Sequence, residues 1–264
     1  MMRLPAPMQL APLLFALAAS ASASAFAFAS APTSASTSAP TSAPAPTPAP
    51  THPAGDAPTA ADAATAAPRP GIDFQVIAEP VARFAPARAK IEVVEVFSYA
   101  CIHCARFQPH VDAWLKKKPR DVQWEYVPAV FGGPFTTFAA AYYAADAAGV
   151  RERSHSAVFK AIFDEKAIKN AEPGEIADFY ARWGVDKAAF IASMDSPAVR
   201  ERMAKARTFA MATGVQGTPS LVVNGKYLMS TTTDRGAPGL LHTLDLVLAR
   251  ERKGLPPPAG DAAL

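Results

Sequence analysis

The sequence predicts an α/β fold in which a helical block interrupts a mixed central sheet. Three observations carry this expectation. A Val- and Ile-rich run, Ile91 to Phe97, leads into a helix-like stretch and then into a second strand-like run, Val122 to Val127. From Pro134 to Thr213 the apolar residues recur at helical spacing instead. Strand texture returns at Ser220 and gives way to one more helix.

The chain has 264 residues and a net charge of +3, and 13 of its 26 prolines fall within the first 70 residues. Residues 31–68 contain no Leu, Ile, Val, Phe or Met from which a core could be built. They are Ala, Pro, Thr and Ser interrupted only by His52, Gly55, Asp56 and Asp62, a composition that cannot offset the entropy of ordering. Residues 30–70 therefore read as a disordered spacer, which leaves 71–264 as one domain. Ahead of the spacer, Arg3 precedes an apolar stretch around Leu10 to Ala19 and small-x-small sites such as Ala19-Ser20-Ala21 and Ala27-Phe28-Ala29. That order of regions predicts a cleavable signal peptide over 1–29. An uncleaved anchor is the alternative, weakened by Ser20, Ser22 and Ser24 in its second half. The mixed-sign domain is no polycation, so nucleic-acid binding is not expected.

Within the domain, Ile72 to Ile77 is a short strand ended by Pro80. Ile91 to Phe97 is the stronger one. The following helix starts at the cysteine pair, carries Phe107, Val111, Trp114 and Leu115, and stops at Lys116-Lys117-Lys118-Pro119, where the lysines complement its dipole. A helical crossover makes its two flanking strands parallel neighbours. The inserted block, about 134–213, shows stripes at Phe138, Tyr142 and Ala145, at Val158 and Ile162, at Ile176, Phe179 and Trp183, and at Val199, Met203, Ala206 and Ala210. These are core positions first. Ser220 to Val223 and Lys226 to Met229 flank Asn224-Gly225, a hairpin signal that makes them antiparallel. The final helix, about Pro238 to Arg250, turns Leu241, Leu244 and Leu248 inward. The order is thus β, β-α-β, helical insert, β-β-α.

The only two cysteines form Cys101-Ile102-His103-Cys104. In a first helical turn they are close enough to bridge, and Cys101 sits where free backbone N–H groups and the helix dipole stabilise an anion. A protonated His103 would favour the thiolate further. A sulfur of low pKa is also a good leaving group, so its disulfide passes readily to other thiols. Other readings stay open. A structural staple across so small a loop removes little chain entropy. Zinc would need more ligands, and His110, His155 and His242 lack ligand spacing. Glu95 shares a strand face with Val93 and Phe97, six residues before Cys101. In a central strand a carboxylate is costly without a role, such as proton exchange with a buried Cys104; on an edge strand it would sit in water.

Three segments in order then resemble the DsbA family of secreted thiol-disulfide oxidoreductases, which have a thioredoxin fold with an inserted helical domain. They are Glu95-Val96-Phe97-Ser98-Tyr99-Ala100-Cys101-Ile102-His103-Cys104, Ala141-Tyr142-Tyr143-Ala144-Ala145 through Gly149-Val150, and Gly214-Val215-Gln216-Gly217-Thr218-Pro219 with Val222-Val223-Asn224-Gly225-Lys226-Tyr227. Coverage runs from about Ile72 to about Leu248. The resemblance implies a thioredoxin-like fold with Cys101 as exposed nucleophile, Cys104 as buried partner, His103 stabilising the Cys101 thiolate and Glu95 as buried acid. It also implies that Pro219 is a cis-proline, with the Thr218 backbone turned toward the cysteines so that an extended client pairs with it. Sequence alone would predict trans, since only about one X-Pro bond in twenty is cis. No cofactor is implied beyond the Cys101-Cys104 disulfide. The implied partners are reduced or unfolded secreted proteins and a quinone-linked membrane protein of the DsbB type, in the periplasm. Two departures stand out: Ile102 replaces the family's familiar proline, and Thr218 its familiar valine. Threonine there is shared with isomerase relatives, but the spacer cannot supply their dimerisation domain, so a monomer is expected. The commitment is to a disulfide donor. An isomerase or reductase with the same site, or a binding module with a passive disulfide or metal clip, are the alternatives.

Overall fold

The computed structural model describes residues 59–258; the expected signal peptide and most of the spacer lie outside them. One sheet has the order β1-β5-β4-β2-β3, built from β1 (Phe74–Val76), β2 (Ile91–Phe97), β3 (Val122–Pro128), β4 (Ser220–Val223) and β5 (Tyr227–Ser230). β2 is buried along its whole length: its side chains enter the cores on the two faces of the sheet, and both of its edges are paired. It runs parallel to β3, with Glu95 opposite Tyr126, and antiparallel to β4, with Glu95 opposite Leu221. The parallel pair follows from the crossover through α2 (Ile102–Lys116), as the sequence predicts.

The β4-β5 hairpin turns on Asn224 and Gly225, both left-handed at φ 47° and 64°, a twist that matches the flanking strands. A Cβ on Gly225 would stand 1.9 Å from the Val81 carbonyl oxygen, so only glycine closes this turn against that loop.

Each face of the sheet buries its own core. On one side Phe107, Val111 and Trp114 of α2 and Leu240, Leu244, Val247 and Leu248 of α8 (Gly236–Arg252) pack on Ile91, Val93, Leu221 and Val223. Full burial of such a side chain contributes about 1.5–3 kcal/mol. Leu241 is only half-buried; Leu240, one residue and roughly 100° earlier on the helix, takes the inward place expected of it.

On the other side lies the helical block: α3 (Gly133–Ala147), α4 (Arg151–Phe163), α5 (Pro173–Ala181), α6 (Lys187–Met194) and α7 (Pro197–Ala212). Prolines in the first turns of α3, α5 and α7 remove N–H groups that would have no partner there, and Asp186 and Ser196 cap α6 and α7. The expected stripes are buried, with Ile162, Trp183 and Met203 at the margin of the core.

The ordered domain begins earlier than the spacer boundary expected from composition. Ala60–Thr65 is a helix, α1, opened by a capping box between Thr59 and Asp62. Its C-terminal carbonyls would otherwise lack partners. The buried Arg235 donates to Ala63, Ala64 and Ala66 oxygens at 3.0, 3.3 and 2.7 Å and pairs with Asp73 at 2.7 Å. A distant side chain thus supplies the ordering that this alanine-rich segment cannot supply itself.

Candidate active site

β2 delivers the chain at Phe97 into a tight connection, and Cys101 becomes the N-cap of α2 with extended backbone, φ −99° and ψ 113°. An N-cap normally offers a side-chain oxygen to the free N–H groups of the first turn. Here sulfur does so, accepting the Cys104 N–H at 3.4 Å. Both cysteines are free thiols.

The two sulfurs differ sharply in environment. Cys101 keeps 9 % exposure and Cys104 none; the nucleophile expected to be exposed is thus largely covered, though less so than its partner. The Cys101 pKa is brought down to about 5, first by the hydrogen bond from the Cys104 thiol, then by the Thr218 side chain and the N–H groups of Cys104 and His103, against the cost of burial. Cys104 moves the other way: burial, the bond to Cys101 and the nearby Glu95 push its thiol far above the ordinary range.

The Thr218-Pro219 peptide is cis and precedes β4, with the Thr218 carbonyl oxygen 3.3 Å from Cys101 Sγ, within reach of its S–H. Glu95 is buried on β2, an interior strand paired on both edges, so the edge-strand alternative does not apply. Burial first, then the charges of Asp112 and Cys101, raise its pKa to about 8. His103 is exposed. Its backbone N–H favours the Cys101 thiolate, while its ring makes no hydrogen bond within the described residues. Ile102 is also exposed beside the sulfur.

A set of buried and half-buried polar groups behind the cysteines escaped the sequence reading. Tyr99 Oη lies 2.8 Å from His155 Nδ1, His155 Nε2 lies 3.1 Å from Gln108 Oε1, and Gln108 Nε2 donates to Asp112 at 2.9 Å and to Tyr126 Oη at 3.0 Å. Because the amide oxygen can only accept, His155 Nε2 carries the proton and Nδ1 accepts from Tyr99. Burial and Arg151 keep this imidazole neutral, with its pKa lowered to about 3. The one available signal was the spacing of Cys104, Gln108 and Asp112 at i, i+4 and i+8, which places them on one stripe of α2.

The fold and the paired sulfurs define a thiol-disulfide oxidoreductase on a thioredoxin-like sheet with a helical insertion. Residues 92–237 match the DSBA-like thioredoxin domain, and the chain belongs to the DsbA family. It is 40% identical over 163 residues to the thiol:disulfide interchange protein DsbA of Azotobacter vinelandii, covering 62% of this chain and 76% of that one. Against the Pseudomonas aeruginosa DsbA the identity is 39% over 182 residues, covering 69% and 85%. Among solved structures, the oxidoreductase DsbA of Xylella fastidiosa superposes with a TM-score of 0.64 at 42% identity, over 69% of this chain and 96% of that one.

Proposed function

We propose that this oxidoreductase works as a disulfide donor to newly exported proteins, with Cys101 as the attacked sulfur. A client thiolate attacks Cys101 Sγ of the Cys101-Cys104 disulfide, and Cys104 Sγ leaves with the electron pair and takes a proton from Glu95. The mixed disulfide is released when the client's second thiolate attacks the client sulfur, freeing Cys101 as a thiolate. Two electrons pass from client to protein. The client's extended backbone lies against Thr218 and Pro219, beside a groove of about 580 Å³ lined by His103, Arg106, His110, Thr218 and Thr232.

The observation that carries this direction is the contrast between the sulfurs. The first turn of α2 stabilises the Cys101 thiolate, which exists only in the reduced form, so the oxidised form is the stronger oxidant; His103 assists through its N–H and, when protonated, its charge. The expected 1–29 leader and the family membership support a periplasmic protein; no helix among the described residues is long and apolar enough to cross a membrane. Reoxidation falls to a quinone-linked membrane protein of the DsbB type, acting on a monomer. The redox equilibrium against glutathione tests the reading: a donor stays reduced at ratios of oxidised to reduced glutathione that fully oxidise an ordinary dithiol. A reductase is indicated if the pair is instead oxidised at the same glutathione ratios as an ordinary dithiol.

A further inference from the structure

We propose that the groove beside the active cysteine selects client segments that carry a carboxylate close to their reacting cysteine, with Arg106 as the ion-pairing partner. The inference deepens the donor reading and rests on it, because a client reaches this groove only by lying along Thr218 and Pro219. Thr218 belongs to both places: its carbonyl oxygen is 3.3 Å from Cys101 Sγ, and it lines the groove.

The sign of the groove is set by α2. His103, Arg106 and His110 stand at i, i+3 and i+7 of this helix, so they form one exposed stripe that runs away from the sulfurs. The groove they line, about 580 Å³, also takes in the loop 231–233 and the start of α8 at Gly236, and its lining holds no Asp or Glu. Arg106 makes no ion pair or hydrogen bond among the described residues. It also borders the neighbouring groove that contains Asp112 and Asp164, but pairs with neither; Asp112 accepts from Gln108 and Ser156 instead. A guanidinium left over beside a binding strand is a fork that fits a carboxylate.

The far side of the groove does nothing to cancel that charge. The carboxylates that adjoin its loop are already engaged: Asp73 pairs with Arg235 at 2.7 Å and Arg69 at 2.9 Å, and Asp234 pairs with Arg69 at 2.9 Å. Two arginines thus answer two carboxylates, and the cluster is neutral. No side chain caps the first turn of α8, which contains no acidic residue, so the positive end of that helix dipole also borders the groove. Reach then fixes where the client's anion must lie. α2 rises about 1.5 Å per residue, which puts Arg106 about 7 Å along the axis from Cys101, a span that an extended client covers in roughly two to three residues.

The test uses dithiol peptides of one sequence that carry Glu, Gln or Leu at the second residue on each side of the reacting cysteine. The second-order rate at which the oxidised protein oxidises each peptide is measured for the parent, Arg106→Gln, Arg106→Lys and Arg207→Gln, the last removing an exposed cation of α7 that does not line the groove. Because a neighbouring carboxylate also alters the peptide's own thiol, the informative quantity is the change in the Glu-to-Gln rate ratio between variants. That ratio should be about two- to fivefold higher in the parent than in Arg106→Gln, the size of a solvent-exposed ion pair. The excess should largely persist in Arg106→Lys, persist fully in Arg207→Gln, and fade at high salt. An equal ratio in the parent and Arg106→Gln overturns the proposal. So does loss of the excess in Arg207→Gln, the mark of a general field rather than a seat, or a parent that prefers Leu, the mark of an apolar one. If the parent oxidises none of the peptides, the donor reading itself falls.

Discussion

Cys101 and Cys104 share the first turn of α2, yet one thiol is brought down to about 5 and the other is pushed far above its ordinary range. Cys101 collects hydrogen bonds that favour its anion; Cys104 is fully buried and faces a carboxyl group. The lesson is that chain proximity does not set thiol chemistry. Three residues of helix are enough to separate a group that gathers free N–H donors from one that meets only burial and negative charge.

The largest expected effect comes from exchanging the sulfurs for oxygen one at a time. Cys101→Ser should abolish exchange with clients, whereas Cys104→Ser should accumulate mixed disulfides that non-reducing electrophoresis reveals. Equal trapping by both variants would remove the distinction.

Next in size is the buried carboxyl that accompanies Cys104. Its folded pKa, about 8, lies above its ordinary value of 4.5, so the folded state holds the proton more tightly across that window. The stability this gives is fully present below 4.5 and is lost as pH rises through 8. Glu95→Gln does not titrate and should equal the parent at pH 4, then exceed it by on the order of 3 kcal/mol at pH 8. Urea unfolding at several pH values checks this, and the same variant should exchange disulfides more slowly at neutral pH.

A smaller effect separates the redox forms. The folded Cys101 pKa of about 5 lies below the unfolded value, so the thiolate stabilises the reduced protein fully above about pH 8.5. That contribution fades as pH falls through about 5. The reduced form should therefore gain on the oxidised form between these limits, by on the order of 1–2 kcal/mol at pH 7 after allowance for solvent screening at a sulfur that remains partly open. Paired denaturation curves of the two forms measure it; a difference independent of pH would contradict it. The smallest effect belongs to His103→Ala. Because the backbone N–H remains and the ring is exposed, the Cys101 pKa should rise only slightly and the protein should become marginally less oxidising. A large rise would show that the imidazolium charge dominates.

Legibility followed the range of the interactions. β2, the Asn224-Gly225 turn and the cysteine turn were readable because neighbouring residues determine them: a Val-rich run, a pair suited to left-handed backbone, and sulfurs spaced for one turn. What escaped depends on partners far away in the chain. Helix α1 lies in a segment without core residues, and its capping box becomes visible as a helix start only once Arg235 is seen holding the other end. His155 offered no ligand spacing and so no signal. Its place between Tyr99 and Gln108 arises from α4 packing on α2. Gln108 and Asp112 looked like ordinary polar helix residues, because sequence periodicity does not distinguish a solvated polar stripe from one that hydrogen-bonds to buried side chains of other elements. The burial of Glu95 required knowing that β2 is central, which the resemblance supplied and the pairing on both edges established.

The most direct test of the account is the ultraviolet thiolate absorbance of the reduced protein as a function of pH. One thiolate should appear with a midpoint near 5, vanish in Cys101→Ser and persist in Cys104→Ser, with no second thiolate up to the ordinary cysteine range. A first thiolate appearing only at about pH 8.5, as in free cysteine, would contradict the claim that this helix terminus stabilises the Cys101 anion and makes the disulfide a strong oxidant.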